Sequence, residues 1–166
     1  MSLTIHLRAT LLRCDQIAQV PNDSANLRLR TATPDDADQL FDMAQLLATS
    51  ATPQREAFGG VFGDILDDPH QCLLVAEVAA GLVGYLHGLA HPAFHANGDI
   101  AWVEELYIDP GQRGNGLGRQ LMNRFEDWAR EAANANYIAV ATRRAHGFYA
   151  AIGYAESATY YTKNLN

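Results

Sequence analysis

The chain has 166 residues, enough for one domain with a buried core, or one domain plus an appendage. Hydrophobic residues make up 48% and charged residues 19%, which excludes a disordered chain. Nineteen acids against twelve bases leave a formal charge of −7. That argues against a non-specific nucleic-acid binder, because phosphate affinity rests on clustered Lys and Arg.

Residues 1–20 alternate too irregularly to assign, and Arg8 and Arg13 break the apolar run that a signal peptide needs. Pro21-Asn22-Asp23-Ser24-Ala25-Asn26 is a turn-rich linker and sets the domain boundary. Residues 1–26 are thus an N-terminal extension of unknown role, and 27–166 form the main domain. Leu27-Arg28-Leu29-Arg30 alternates apolar and charged residues and predicts a first strand. Thr33-Pro34-Asp35-Asp36 starts a helix, with Thr33 as N-cap, Pro34 at the first helical position and Asp36 closing a capping box. Leu40, Phe41, Ala44, Leu47 and Ala48 continue it at helical spacing, and a second helix is expected near 53–66.

Cys72 to Ala76 predicts a buried strand, and Ala80-Gly81 a hairpin turn into a strand from Leu82 to Leu86. Pro92 to Gly98 reads as a loop and Ile100 to Ile108 as a long third strand. Leu117, Leu121, Phe125, Trp128 and Ala132 repeat with helical period. Tyr137 to Ala141 predicts a short strand, Ala145 to Ile152 a short helix, and Tyr160-Tyr161-Thr162-Lys163 a last strand. Strands and helices mixed in this order predict an α+β or mixed α/β sheet.

Val78 to Gly98 carries no Lys, Arg, Asp or Glu, but its glycines, its three histidines and Pro92 argue for strand and loop rather than a membrane span. Cys14 and Cys72 lie far apart in no CxxC pattern. They make no disulfide framework, so a reducing compartment, the cytoplasm, is the expectation. His87, His91 and His95 recur every four residues, as metal ligands on a helix would. Gly88 and Pro92 oppose that helix and no Cys or acid completes a set, so no metal is expected. His91 or His95 would rather line an acceptor site.

The most informative stretch runs from Leu106 to Arg119. A strand ends at Asp109-Pro110, and Gly111-Gln112-Arg113-Gly114-Asn115-Gly116-Leu117-Gly118 opens a long amphipathic helix. Glycines permit positive φ and close approach of a ligand to the backbone. Free amides at a helix N-terminus form an anion site, to which Arg113 and Arg119 add charge, and diphosphate is the natural guest. A P-loop would need Lys-Ser or Lys-Thr after the last glycine. A dinucleotide fingerprint counted from Gly114 would need a glycine where Arg119 stands.

Arg113-x-x-Gly116-x-Gly118 after Leu-Tyr-Ile-Asp-Pro resembles the acetyl-CoA signature of the GNAT N-acetyltransferase superfamily. Ala145-His146-Gly147-Phe148-Tyr149 through Gly153-Tyr154 is similar to that family's Phe-Tyr helix with its glycine–aromatic stop. Leu27 to Asp36 resembles its opening strand and helix. The likeness spans about 27–165, with the motifs in the family's order. It implies a central twisted, mostly antiparallel mixed sheet of about six to seven strands with about four helices. It also implies acetyl-CoA as co-substrate, held by Leu106, Tyr107, Ile108, Arg113, Gly114, Asn115, Gly116, Leu117, Gly118 and Arg119. Thr142 stands where the family often has an Asn that touches the pantetheine arm, with Arg143 and Arg144 beside it as alternative phosphate contacts.

Acetyl transfer to an amine needs a base for the ammonium, donors for the oxyanion and a proton for the leaving thiolate. Glu104 and Glu105 would point to opposite faces of a regular strand, unless a bulge intervenes as is typical of the family. The resemblance implies Glu104 as base, Glu105 as substrate anchor and Tyr149 as acid, with direct attack in a ternary complex. The expected acceptor is the primary amine of a small molecule, polyamine-like or aminoglycoside-like. A protein N-terminus or lysine, or a non-catalytic acyl-CoA-binding module, is the alternative. Dimers are frequent in the family, and neither nucleic acid nor membrane is an expected partner.

Overall fold

The computed structural model describes residues 27–48 and 52–165. Five strands make one sheet in chain order: β1 (Arg28–Thr31), β2 (Gln71–Val78), β3 (Gly81–Ala93), β4 (Gly98–Ile108) and β5 (Ala135–Val140). The first four pair antiparallel, and β4 pairs β5 in parallel. Among the described residues four α-helices pack on the sheet: α1 (Ala37–Leu47), α2 (Arg55–Asp67), α3 (Leu117–Glu131) and α4 (His146–Ala151). The parallel crossover between β4 and β5 is made by α3, as a parallel pair requires.

Each face of the sheet carries its own core, because side chains alternate along every strand. On one face Leu73, Val75, Tyr85 and Tyr107 pack under Leu40, Met43 and Phe62 of α1 and α2. On the other, Cys72, Leu74, Leu86 and Val103 pack under Leu117, Leu121, Met122, Phe125 and Trp128 of α3, with Tyr149 of α4. Those α3 positions recur every three or four residues, which is the stripe that buries a helix on a sheet.

The Thr33 start is built as expected. Pro34–Asp36 forms a single 3-10 turn leading into α1, and the Thr33 amide and hydroxyl donate to Asp36 Oδ2 at 2.7 and 3.1 Å. Arg30 clamps the same carboxylate through two nitrogens at 2.7 and 2.8 Å and reaches Glu77 at 2.9 Å. The network ties β1 to β2 and to the entrance of α1.

Four expectations need correction. The sheet has five strands among the described residues rather than six to seven: Tyr160 to Lys163 pairs with no strand, and Tyr160 only rests its ring 6.2 Å from Trp102. Pro92 lies inside β3, opposite Asp99, instead of opening a loop. Pairing of β3 with β2 ends at Leu89, so Pro92 sits where no partner on that side needs its missing N–H. The reversal is made by a 3-10 turn at Phe94–Ala96 and Asn97 at φ 54. Cys72 is fully buried and disulfide-bonded, so the compartment inferred from unpaired cysteines loses its basis; Cys14 and the extension 1–26 lie outside the described residues. Among the described residues no helix is long and apolar enough to cross a membrane.

Candidate active site

Two interruptions of regular pairing make an opening in the sheet. The β3–β4 register passes from His87↔Glu105 to Gly88↔Val103, so Glu104 is an extra residue, a bulge in β4. Pairing of β4 with β5 ends at Val103↔Val140, five residues before β4 does. From Glu104 to Ile108 the outer edge of β4 is therefore unpaired by β5. Backbone groups on such an edge must find other partners, and an extended ligand can supply them.

The bulge also changes which way side chains point. Val103 belongs to the α3 core, whereas Glu105, two residues on, is hydrogen-bonded to Tyr85 on the α1–α2 face. In a regular strand those two positions would share a face. Beyond the bulge Leu106 and Ile108 return to the α3 face and Tyr107 to the other. Glu104 and Glu105 are both exposed and adjacent to the opening. Partial desolvation, and then the charge of Glu105, push the Glu104 carboxyl above its ordinary range.

Beyond β4 the chain makes the glycine turn. A 3-10 turn at Pro110–Gln112 leads to Gly114 at φ +81 and Gly116 at φ +79. Gly116 is the N-cap of α3, and among the described residues no side chain caps the helix and a Cβ at Gly114 or Gly116 would meet nothing within 4 Å. The first amides of α3 thus face open space at the positive end of the helix dipole. Arg113 donates through Nε to the Ile108 carbonyl at 2.9 Å, which pins the turn to the end of β4. Arg119 donates to the Ala151 carbonyl at 3.1 Å and ties α3 to the end of α4. Gly118 has a different duty. A Cβ there would lie 3.2 Å from the Phe148 ring, so this glycine lets α4 close on α3.

Three of the expected contact residues can act through the backbone alone or already have a partner. Leu117 is buried, so only its backbone faces the turn, and Tyr107 is buried with its backbone turned toward Tyr85 of β3. The Thr142 hydroxyl accepts the Ala145 amide at 3.0 Å and starts α4, keeping its own proton for another acceptor. Asn115 is exposed in the turn.

Tyr149 sits on α4 in the α3 core, its ring 5.0 Å from Phe148 and 5.7 Å from Tyr154. Burial pushes its phenol up, so the hydroxyl holds its proton across neutral pH. Glu105 faces α1 and α2 while Tyr149 lies on the α3–α4 side. The β4–β5 opening joins the two sides. His91 pairs with Ile100, four residues along β3 from His87 and hence about 13 Å away by strand rise. His95 bonds Tyr137 at 2.7 Å. Neither is brought to the carboxylate pair. Among the described residues no three His, Cys, Asp or Glu gather to hold a metal.

Of three residues near the carboxylates, Tyr85 and Gln71 were not singled out from the sequence, and His87 was weighed only as a metal ligand. Tyr85 donates to Glu105 Oε2 at 2.7 Å, and His87 stands opposite Glu105 with Nε2 2.7 Å from Gln71 Oε1. Their signal was the alternation Tyr85-Leu86-His87, two polar-tipped rings on one face of a strand.

Residues 37–154 match the acetyltransferase (GNAT) family. The aminoalkylphosphonate N-acetyltransferase of Salmonella typhimurium is 35% identical over 144 residues, covering 82% of this chain and 90% of that protein. An uncharacterized protein of Mycobacterium leprae is 28% identical over 155 residues; the match covers 90% of this chain and 40% of that longer protein. Glucosamine-6-phosphate N-acetyltransferase from Arabidopsis thaliana superposes with a TM-score of 0.74 at 16% identity, over 84% of this chain and 99% of that one. AAC(6')-Iy, solved with the bisubstrate analogue CoA-S-monomethyl-acetylneamine, superposes over the same shares with a TM-score of 0.71 at 17% identity. The glycine turn, the splayed fourth strand and the family match agree: this chain belongs to the GNAT family of acetyltransferases, which use acetyl-CoA as co-substrate.

Proposed function

We propose that residues 27–166 transfer the acetyl group of acetyl-CoA to the primary amine of a small cationic molecule, by direct attack in a ternary complex. The observation that carries this reading is the opening between β4 and β5, flanked by two exposed carboxylates at one end and an uncapped helix N-terminus at the other. The pyrophosphate lies against the amides from Gly114 to Arg119, with Arg113, Asn115 and the backbone of Leu117 at its rim. Gly118 keeps α4 close. The pantetheine arm runs along the free edge of β4, bonded to the backbone of Leu106 and Ile108 on either side of Tyr107, with Thr142 across from it.

Glu104 takes the proton of the ammonium, directly or through water. Its raised pKa supports this role, since a base works best when its pKa approaches the ambient pH. The freed amine attacks the thioester carbon, forming the C–N bond, and the nitrogen then releases its second ammonium proton to water. Backbone N–H groups of β4 hold the oxyanion, and the C–S bond then breaks. Tyr149, still protonated because it is buried, gives its proton to the departing thiolate.

The acceptor class follows from charge. Arg30 is bound by Asp36 and Glu77, and Arg55 by Asp38 at 2.8 Å with its guanidinium 4.1 Å over the Phe41 ring. Two cations on the α1–α2 side are thus already paired, while Glu104 and Glu105 meet no cation among the described residues. This favours a polyamine-like or aminoglycoside-like acceptor over an amine bearing phosphate or phosphonate. The test is thiol release from acetyl-CoA with a panel of diamines, aminoglycosides, amino phosphonates and peptides with free N-termini. Fastest turnover with a peptide, or with a phosphonate, would displace the small-cation reading.

A further inference from the structure

Side chains from three neighbouring strands meet beside the bulge: Gln71 on β2, Tyr85 and His87 on β3, and Glu105 on β4. Tyr85 is 2% exposed and its ring lies 6.2 Å from that of Tyr107. Its hydroxyl donates to Glu105 Oε2 at 2.7 Å. The other oxygen, Oε1, has no hydrogen-bond partner among the described residues, and Glu105 is exposed.

The neighbourhood shows what is unusual here. Asp36, Glu77 and Asp38 each meet a guanidinium, so their charge is neutralised within the protein. Glu105 is held by a neutral phenol instead. A phenol donor fixes a carboxylate in place and leaves its full negative charge. Burial, together with the Glu105 charge and hydrogen bond, keeps the Tyr85 phenol protonated, so the donor is permanent. His87, across the ladder, places Nε2 on the Gln71 carbonyl oxygen at 2.7 Å, and a carbonyl only accepts. That nitrogen therefore carries the proton and Nδ1 is left as an acceptor. Burial holds the ring below its ordinary pKa against the pull of Glu105, so it adds no positive charge at neutral pH. Glu104, by contrast, is held by no hydrogen bond among the described residues.

We propose that Tyr85 is a positioning residue that fixes Glu105 as the seat for the second cationic group of the acceptor, leaving Glu104 to move the proton. This rests on the acetylation of a cationic amine proposed above. A carboxylate that is oriented but not neutralised is built to receive a cation from outside the chain. His87, paired across the ladder and neutral, adds no competing positive charge there.

The experiment compares 1,5-diaminopentane with pentylamine at saturating acetyl-CoA, in wild type, Tyr85→Phe, Glu105→Gln and the double variant. Phe keeps the ring that packs on Tyr107, and an unchanged affinity for CoA certifies the fold. Wild type should prefer the diamine. Tyr85→Phe should cut that preference by about tenfold through the KM for the diamine, with kcat/KM for pentylamine held. Adding Glu105→Gln should cost little more than Glu105→Gln alone, because the two groups act as one unit. A preference that survives Tyr85→Phe, or losses that simply add in the double variant, overturns the positioning role. Wild type that acetylates no amine overturns the parent reading instead, and this one with it.

Discussion

Gly116→Val puts a branched side chain at the one point where the helix, the turn and the co-substrate are expected to converge. Gly116 stands at φ +79, where an L side chain costs about 1–2 kcal/mol. Among the described residues no atom lies within 4 Å of the new Cβ, so backbone strain is the cost to the fold. At about 2–4 °C per kcal/mol for a chain of this length, the melting temperature should drop by about 2–8 °C and the domain should stay folded. Binding should suffer more. The open space that accepts a Cβ is the space proposed for the pyrophosphate, and the branched methyls would hold an anion away from the first amides of α3. Acetyl-CoA affinity by titration calorimetry should therefore fall by more than tenfold, a loss above about 1.4 kcal/mol. A folded variant that binds acetyl-CoA like wild type would remove the glycine turn from the co-substrate site.

Tyr149→Phe removes one oxygen and keeps the ring against Phe148 and Tyr154; kcat should fall by about 10²–10⁴ with the melting temperature nearly unchanged, and wild-type kcat across pH would make Tyr149 a packing residue. Glu104, the proposed base, has a raised pKa, so the rate should fall as pH drops through that value. Glu104→Gln should weaken or erase this acidic limb with acetyl-CoA affinity intact, and the same phenotype from Glu105→Gln alone would move the base to Glu105. The Arg30 guanidinium and the Thr33 hydrogen bonds hold Asp36 below its ordinary pKa, against the upward push of burial. Its stabilisation is present above the unfolded value, near pH 4, and is lost as pH falls through the depressed folded value. Asp36→Asn should cost about 3 kcal/mol at neutral pH and flatten the acid limb of the melting curve; an unchanged acid limb would exclude this network as its source.

What the sequence made legible was local. The glycine turn was readable because Gly114 and Gly116 must take positive φ and Gly118 must admit Phe148, and each demand falls on a single position. The α3 stripe and the Ala80-Gly81 hairpin were readable for the same reason. The bulge was not readable from the residues themselves and entered only through the family resemblance, because it is a relation between His87–Gly88 on one strand and Val103–Glu105 on another. Without it, Glu104 and Glu105 had to point apart, and Tyr85, His87 and Gln71 had no visible link to either. Pro92 misled for a related reason: whether proline breaks a strand depends on which neighbour needs its amide, and that neighbour, β2, had already ended. Tyr160 to Lys163 has the composition of a strand, but composition supplies no partner.

The central claim is that acetyl-CoA lies along the free edge of β4 and against the start of α3. Hydrogen exchange read by mass spectrometry, with and without CoA, tests it most directly. The amides of Leu106 and Ile108, which alternate with those turned toward β3, and the amides from Gly114 to Arg119 should exchange quickly in the free protein, where β5 does not cover the first pair and no side chain among the described residues caps the second set. Both segments should slow together on adding CoA, while β2 and the paired part of β3 stay as they were. Protection confined to other segments, with these two unchanged at saturating CoA, would contradict the account.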